Sequence, residues 1–492
     1  MNLPRGLSGL TVFLFALRAD DSVFKPIVRP DVYLENIKAL TADKMGGRGS
    51  GSENLDRAAD FIAKRFESFG LHPKMQPFVL TSRARLGSGN RLQFTVNGQT
   101  QSRKSSREFV ALPFSGVGKA AGAVVFAGYG ITAPEYGYDD YAGVDVRGKI
   151  VLVLRQEPQE YDDYSAFEGR SYTAHSQLAN KALNARQHGA KGVIFVTPMF
   201  SRGSNDDRLE PFVRSAGPGD VGIPVIQMRA ADTNAWFERA GHSLDDIGRD
   251  IDRDLQPRSF AFPAGVSVAM EVDIERRSRE VRNVYAYLPG ETDEYVIIGA
   301  HYDHLGSGEQ FSLGTPGVTH PGADDNASGT SGVIELARWF SQRPGRLKRG
   351  ILFLTFAGEE IGLLGSSYYV NHPALPLQKA VAMINLDMIG RIRDGKVFVI
   401  SAGVRGVVEP LVGKYPGLKP DLSGSAGYGA SDHTSFTGKG VPILFFFSGL
   451  HGDYHKPSDT WDKIDAGATA TLLSLVADTM TVLGNQGRDV SQ

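Results

Sequence analysis

Four stretches in the second half of the chain are apolar without alternation: Tyr295–Ala300, Gly350–Phe356, Ala380–Leu386 and Val441–Phe447. A strand that faces water on one side alternates apolar and polar positions, so unbroken runs of this length belong to strands covered on both faces. Thr330–Phe340 and Ala466–Leu483 carry helical spacing and supply such cover. The order strand, loop, helix, repeated from about Ser267 onward, predicts an α/β domain with a mixed, largely parallel central sheet covered by helices.

Upstream the texture differs. Leu55, Ala58, Ile62, Phe66 and Phe69 fall on one helical face, with Asn54 as the predicted cap and Gly70 as the predicted end. Leu92, Phe94 and Val96 alternate ahead of Asn97-Gly98, the strongest short-range hairpin signal. From about Val117 to Gly265 come short β-type runs at Ala123–Phe126, Ile150–Leu154, Val193–Val196 and Pro224–Met228, broken by turns rich in Gly, Pro and Asp. One helix, around Gln177–His188, interrupts them, and nothing in the stretch has metal-ligand spacing. The expected organisation is therefore an N-terminal segment over 1–25, a first part of the main domain over 26–110, an inserted β-rich module over 111–266, and the rest of the main domain over 267–492.

Composition narrows the function. Lysine and arginine total 53 against 55 acidic residues, a net charge of −2, which removes the basic face that a nucleic-acid binder needs. There is no cysteine, so thiolate metal sites, disulfides and cysteine nucleophiles are excluded, and any transition metal must be held by histidine and carboxylate. No uninterrupted apolar run reaches the roughly 18–20 residues of a membrane span. Leu7–Leu17, behind Arg5 and ahead of Ala19, has the length of a secretory apolar region, so a secreted or periplasmic location is expected.

Seven of the eleven histidines lie between His301 and His455, among the buried strands. Their position matters more than their number. His301 and Asp303 follow the run Tyr295–Ala300; Glu359 and Glu360 follow Gly350–Phe356; Asp387 closes Ala380–Leu386; His455 lies beyond Val441–Phe447; and Asp324 sits in a loop-to-helix turn. Ligand sites of α/β sheets form at the carboxyl ends of the strands. Taken singly, each residue has a bland reading as a core histidine, a solvated turn, a helix cap or an ion pair. Together they form one polar edge. Imidazole and carboxylate suit zinc, manganese or cobalt, and two such ions about 3.5–4 Å apart activate water and polarise a carbonyl together. Adjacent Glu359 and Glu360 can divide the work, one binding metal and the other taking a proton.

These residues, in the segments His301-Tyr-Asp303, Gly322-Ala-Asp324-Asp325-Asn326-Ala-Ser-Gly329, Gly358-Glu359-Glu360-Ile-Gly-Leu-Leu-Gly365, Asn385-Leu-Asp387-Met and Tyr454-His455, resemble metallopeptidase family 28, the co-catalytic di-zinc aminopeptidases and their relatives. The resemblance implies two zinc ions per chain, with Asp324 bridging them, His301 and Asp387 completing one site, and Glu360 and His455 the other. It further implies Glu359 as general base, Asp303 as the group that orients His301, and Tyr428 as an oxyanion stabiliser. The expected function is release of N-terminal, apolar residues from peptides or proteins. The segments Gly128-Tyr-Gly130-Ile, Asp140-Tyr-Ala-Gly143-Val-Asp145-Val-Arg-Gly148-Lys149 and Asn184–Gly192 resemble a protease-associated (PA) domain, which implies a role in substrate access or protein contact rather than chemistry.

Alternatives on the same scaffold are a glutamate-type carboxypeptidase and a one-zinc glutaminyl cyclase, and from a different class a non-catalytic PA-containing binding protein; a related di-zinc amidohydrolase family is disfavoured because its extra domain interrupts the chain after the metal-binding acids. Ser431-Asp432-His433 has the letters of a serine-hydrolase triad, but triad members come from separated elements. Gly128-Tyr-Gly130 lacks the third glycine of a dinucleotide site. The Asn326-Ala-Ser sequon lies inside the proposed metal loop and is expected to be fortuitous. His304, His320 and His451 are expected to support the site, not to complete it.

Overall fold

The computed structural model describes residues 24–485 except 134–135, 163, 168, 170–172, 199–206, 211, 213–219, 309–311, 316 and 424–430. The four apolar runs are the centre of an eight-stranded sheet. Its order is Lys74–Leu86, Ile274–Leu288, Gly350–Phe356, Tyr295–His301, Ala380–Leu386, Ile443–Phe447, Lys396–Ala402 and Lys419–Asp421. Gly350–Phe356, Tyr295–His301, Ala380–Leu386 and Ile443–Phe447 run parallel, and antiparallel strands flank them on both sides.

Both faces of the sheet are dry, which explains the unbroken apolar runs. Val296, Ile298, Phe353, Ile384 and Phe446 face a core built with the helices Pro30–Leu40, Glu53–Ser68, Gly329–Ser341 and Ala466–Asn485. Ile297, Leu352, Leu354 and Met383 face the opposite core, with Tyr369 and Phe436 from the helices Leu364–Asn371 and His433–Thr437. Ala466–Asn485 is the one described helix long and apolar enough to cross a membrane; here it is a core helix, with Leu472, Leu473, Leu475 and Val476 fully buried.

A second, nine-stranded sheet forms the inserted module. Its strands Gly118–Phe126, Ile150–Leu154, Gly192–Val196 and Val225–Met228 run side by side in parallel. The Asn97-Gly98 turn is the expected hairpin: Val96 pairs with Gln99, and both turn residues have positive φ. That hairpin, Arg91–Val96 with Gln99–Arg103, and the strand Ser267–Val272 belong to this sheet, so the module reaches past both expected edges at 110/111 and 266/267. Two more helices were not anticipated, Asn234–Arg239 and Leu244–Asp254. The second is rich in Asp and Arg, yet Leu244, Ile247 and Ile251 keep helical spacing on its buried face, and Ser243 caps it by accepting from Asp246 N. In Glu53–Ser68 the cap is Ser52, whose Oγ accepts from Leu55 N, while Asn54 accepts from Arg57 instead.

The two sheets are joined by a long antiparallel ribbon, Lys74–Leu86 with Ile274–Leu288. The ribbon's far end and the parallel strand ends bring the module and the polar sheet edge into one molecule. Leu473→Ala, which empties a fully buried position between the terminal helix and the sheet, is expected to cost about 3 kcal/mol. A urea-denaturation midpoint compared with the unaltered protein measures it.

Candidate active site at the carboxyl edge of the sheet

The four parallel strands end on one edge, and the chain continues from each into a polar side chain. His301 is the last residue of its strand; Ala357-Gly358 leads from Phe356 to Glu359 and Glu360; Asp387 follows Leu386. His455 comes from the loop after Phe447. It has a φ of 54°, an uncommon backbone state of the kind that clusters at functional sites, and its carbonyl accepts from Leu313 N at 2.9 Å.

The centre of the arrangement is Asp325. Its Oδ1 lies 3.4 Å from His301 Nε2, and its Oδ2 lies 3.3 Å from His455 Nε2. On the first side His301 Nε2 also faces Asp387 Oδ1 at 3.4 Å and Glu359 Oε2 at 3.9 Å. On the second, His455 Nε2 faces Glu360 Oε2 at 3.2 Å. Each imidazole nitrogen thus sees one oxygen of the shared carboxylate and one of a private one.

Asp324, the residue expected in this central place, points the other way. Its Oδ1 accepts from Gly390 N at 2.6 Å and its Oδ2 pairs with His451 Nε2 at 3.1 Å. The reason is local. Asp324 N and Asp325 N both donate to the Asp459 carboxylate, and Asp325 and Asn326 leave helical backbone angles, so neighbouring side chains diverge across the turn. Gly322 begins the turn at a φ of 59°, where a Cβ would stand 2.2 Å from the Asp325 carbonyl. Asn326 is buried, with Nδ2 on Leu386 O and Oδ1 accepting from Gly329 N and Met388 N, so its amide is committed to holding the turn.

Around this centre, His301 Nδ1 lies 3.2 Å from the Asp303 carbonyl and 3.7 Å from its carboxylate, so the backbone oxygen fixes the ring and leaves Nε2 for the site. The Asp303 carboxylate holds the acidic turn instead: Oδ1 accepts from Glu359 N at 3.1 Å, and Oδ2 from Ser50 Oγ at 2.5 Å and Glu360 N at 3.4 Å. His304 Nδ1 binds Glu360 Oε1 at 2.6 Å, and Ser431 Oγ donates to Asp387 Oδ2 at 2.8 Å. His320 bonds within its own loop, to Val318 O and Ser312 Oγ. Ser431-Asp432-His433 is no triad: the serine serves Asp387, and the half-buried His433 ring stacks on Phe445. Tyr428 lies outside the described residues.

Sequence reasoning missed Arg48. It is fully buried, with Nε on Tyr302 O at 2.8 Å, one terminal nitrogen on Leu40 O and Pro321 O at 2.8 and 2.7 Å, and the other on Gly322 O at 2.8 Å. One guanidinium therefore ties the first helix to the loops carrying His301 and Asp325. Burial lowers its pKa to about 10, against the pull of Asp303, Asp325, Asp459 and Glu360, so it stays charged. Its signal in sequence was a lone arginine after two glycines, Gly46 and Gly47, which announces nothing.

The electrostatics call for cations. Burial works against charge on His301, yet Asp387, Glu359 and Asp325 outweigh it and raise its pKa well above the usual value. His455 is likewise lowered by burial and raised further by Glu360 and Asp325, to about 11. Two imidazoles forced to keep protons among buried carboxylates mark positions where positive charge is favoured. His301, Asp325 and Glu360 bring ligand atoms within 4.8 Å of one another, as do His301, Glu359 and Asp387. A set of imidazoles and carboxylates without thiolate fits zinc or a similar divalent ion.

Comparison with known proteins identifies the family. The profile of Peptidase family M28 matches residues 283–480 and that of the PA domain residues 117–236. Aminopeptidase YwaD of Bacillus subtilis is 25% identical over 451 residues, 86% of this chain and 78% of that protein. A probable leucine aminopeptidase of Trichophyton verrucosum is 32% identical over 294 residues, 54% of this chain and 73% of that one. Among solved structures, an aminopeptidase from Aneurinibacillus sp. strain AM-1 superposes with a TM-score of 0.56 at 23% identity, covering 94% of this chain and 95% of that one. BSAP, a zinc aminopeptidase from Bacillus subtilis, does so with 0.51 at 22% identity, covering 95% and 97%. The chain belongs to peptidase family M28, with a PA domain inserted ahead of the region the family profile matches. It is an enzyme of the metallo-aminopeptidase class, a hydrolase of peptide bonds.

Arg48→Met leaves four buried carbonyls without their donor and removes a charge enclosed by acids, a loss expected to exceed about 3 kcal/mol. Thermal unfolding beside Arg57→Met, an exposed neighbour, separates this from a general effect of removing an arginine.

Proposed function

We propose that the protein is a zinc-dependent aminopeptidase holding two ions, one between His301, Asp387 and Asp325 and the other between His455, Glu360 and Asp325. The observation that carries the reading is the Asp325 carboxylate, which offers one oxygen to each of two matching histidine–carboxylate sets. Two zinc ions held there would supply Lewis acidity for the scissile carbonyl and lower the pKa of a water.

The remaining work falls to the chain. Glu359 takes the proton of the attacking water at its carboxylate and returns it to the leaving amine. Burial raises the Glu359 pKa, and Glu360, Asp387 and Asp432 add to it against the pull of His301. Asp303 and Ser50 hold the Glu359-Glu360 turn so that one side chain serves the ions and the other the proton. The similarity to aminopeptidases supports cleavage next to a free N-terminus.

An apolar terminal residue as the preferred one follows from the similarity to a probable leucine aminopeptidase. The PA domain and the apolar segment Leu7–Leu17 support an exported enzyme; that segment lies outside the described residues.

The expected outcome with purified protein is cleavage of leucine p-nitroanilide but not of its N-acetyl counterpart, lost on chelation and restored by zinc. Cleavage of both, or activity that survives chelation with no metal left in the protein, contradicts the reading. Leucine and phenylalanine substrates should exceed aspartate and lysine substrates by at least about tenfold in kcat/KM. Glu359→Gln should lower kcat by at least about a hundredfold while zinc content, measured by atomic absorption, stays at wild type. Asp325→Asn should lose zinc in equilibrium dialysis at concentrations that still load Asp324→Asn.

A further inference from the structure

The ribbon that joins the two sheets holds six arginines, and four of them have partners close by. Arg85 pairs with Glu275, its cross-strand neighbour. Arg279 reaches Asp56 at 2.5 Å, and Arg282 reaches Asp56 and Asp60 at 3.3 and 3.4 Å. Arg276 donates to the carbonyl of Pro113 at 2.8 Å. Arg83 and Arg277 differ: both are exposed, they face each other in the ladder register, and neither has an ion pair or side-chain hydrogen bond among the described residues.

Residues directly opposite in an antiparallel pair hold their Cβ atoms about 4.5–5.5 Å apart, and like charges there are unfavourable. Two guanidinium groups so placed are completed by an anion, and their planar forks suit a carboxylate. Their surroundings link the pair to the site. A bulge between Thr81 and Arg83 re-aims the strand at this point, and Ser82 Oγ donates to Arg277 O at 2.9 Å. Ser82 lies against Gly51, where an added Cβ would stand 3.1 Å from the serine Cβ. Gly51 follows Ser50, whose hydroxyl is bonded to Asp303, which in turn holds the Glu359-Glu360 turn. The arginine pair is thus four contacts from the proposed base, on the face of the ribbon that Arg279 shares with the start of the helix Glu53–Ser68.

We propose that Arg83 and Arg277 form a carboxylate-binding fork for the downstream part of a peptide substrate. An extended peptide advances about 3.3–3.6 Å per residue, so a carboxylate downstream of the bond cut is carried along the ribbon toward the fork. This inference rests on the aminopeptidase reading for its orientation. The carboxylate comes from an acidic side chain or from the peptide's own C-terminus; both present the same chemistry.

The test uses zinc-loaded protein and three peptides: Leu-Gly-Gly-Gly amide, the same sequence as free acid, and Leu-Gly-Glu-Glu amide. Replacing both arginines (R83Q and R277Q together) should raise KM by about three- to tenfold for a carboxylate-bearing peptide, with kcat held and no rise for the neutral amide. An effect confined to the free acid assigns the fork to the C-terminus; one confined to the glutamyl amide assigns it to side chains. Arg83→Lys with Arg277→Lys should keep part of the preference, and added salt should erode it. An equal change for all three peptides, or none, overturns the proposal. Calorimetric binding of the same peptides to zinc-loaded Glu359→Gln protein, with and without the arginine pair, tests the fork without turnover. Discrimination lost with the arginines supports the fork, and affinity blind to carboxylates overturns it, whatever leucine p-nitroanilide shows about the aminopeptidase reading.

Discussion

One carboxylate placed between two imidazoles sets the terms for the rest of the molecule. Asp325 has to be buried to hold its position between His301 and His455, and a buried anion survives only where positive charge or donors surround it. The fold meets that demand in layers. Asp459 pins the backbone of Asp324 and Asp325, Arg48 ties the same turn to the loop after His301, and Asp324 is drawn off by Gly390 and His451. The parallel strands then deliver His301, the glutamate pair and Asp387 to the same edge. In such an edge the sheet core does not choose the chemistry; it fixes how closely charged side chains can be gathered.

Several of these features were legible in the sequence because they follow strand ends. Unbroken apolar runs located four central strands to within a residue or two, and a polar residue at each carboxyl end named His301, Glu359, Glu360 and Asp387 as neighbours. His455 came with the same logic, one loop later. The identity of the central acid was not legible. Asp324 and Asp325 are adjacent in a turn, and which of them faces the histidines depends on non-helical backbone angles and on Asp459, far away along the chain. Arg48 and Ser50 were invisible for a similar reason. Their partners are backbone carbonyls and Asp303, brought near only after folding. Asp303 was found, but its carboxylate works on the acidic turn, while its carbonyl holds the His301 ring.

The inserted module shows the other limit. Its β-runs and the Asn97-Gly98 hairpin were readable from local pattern, because turn chemistry and alternation are local. Its edges were not, because the strands Arg91–Val96 and Ser267–Val272 read as ordinary strands wherever they pair. Their assignment to the second sheet is a tertiary fact. The ribbon between the sheets places the module and the catalytic edge on one continuous pair of strands, and at its bulge stand Arg83 and Arg277, without an ion pair among the described residues.

The measurement that tests the central claim most directly is a crystal structure of zinc-loaded protein with anomalous data collected on both sides of the zinc edge. The account predicts two peaks about 3.5–4 Å apart, one beside His301 and Asp387, the other beside His455 and Glu360, with an oxygen of Asp325 on each. A single peak, or a pair bridged by Asp324 with Asp325 turned away, would contradict it.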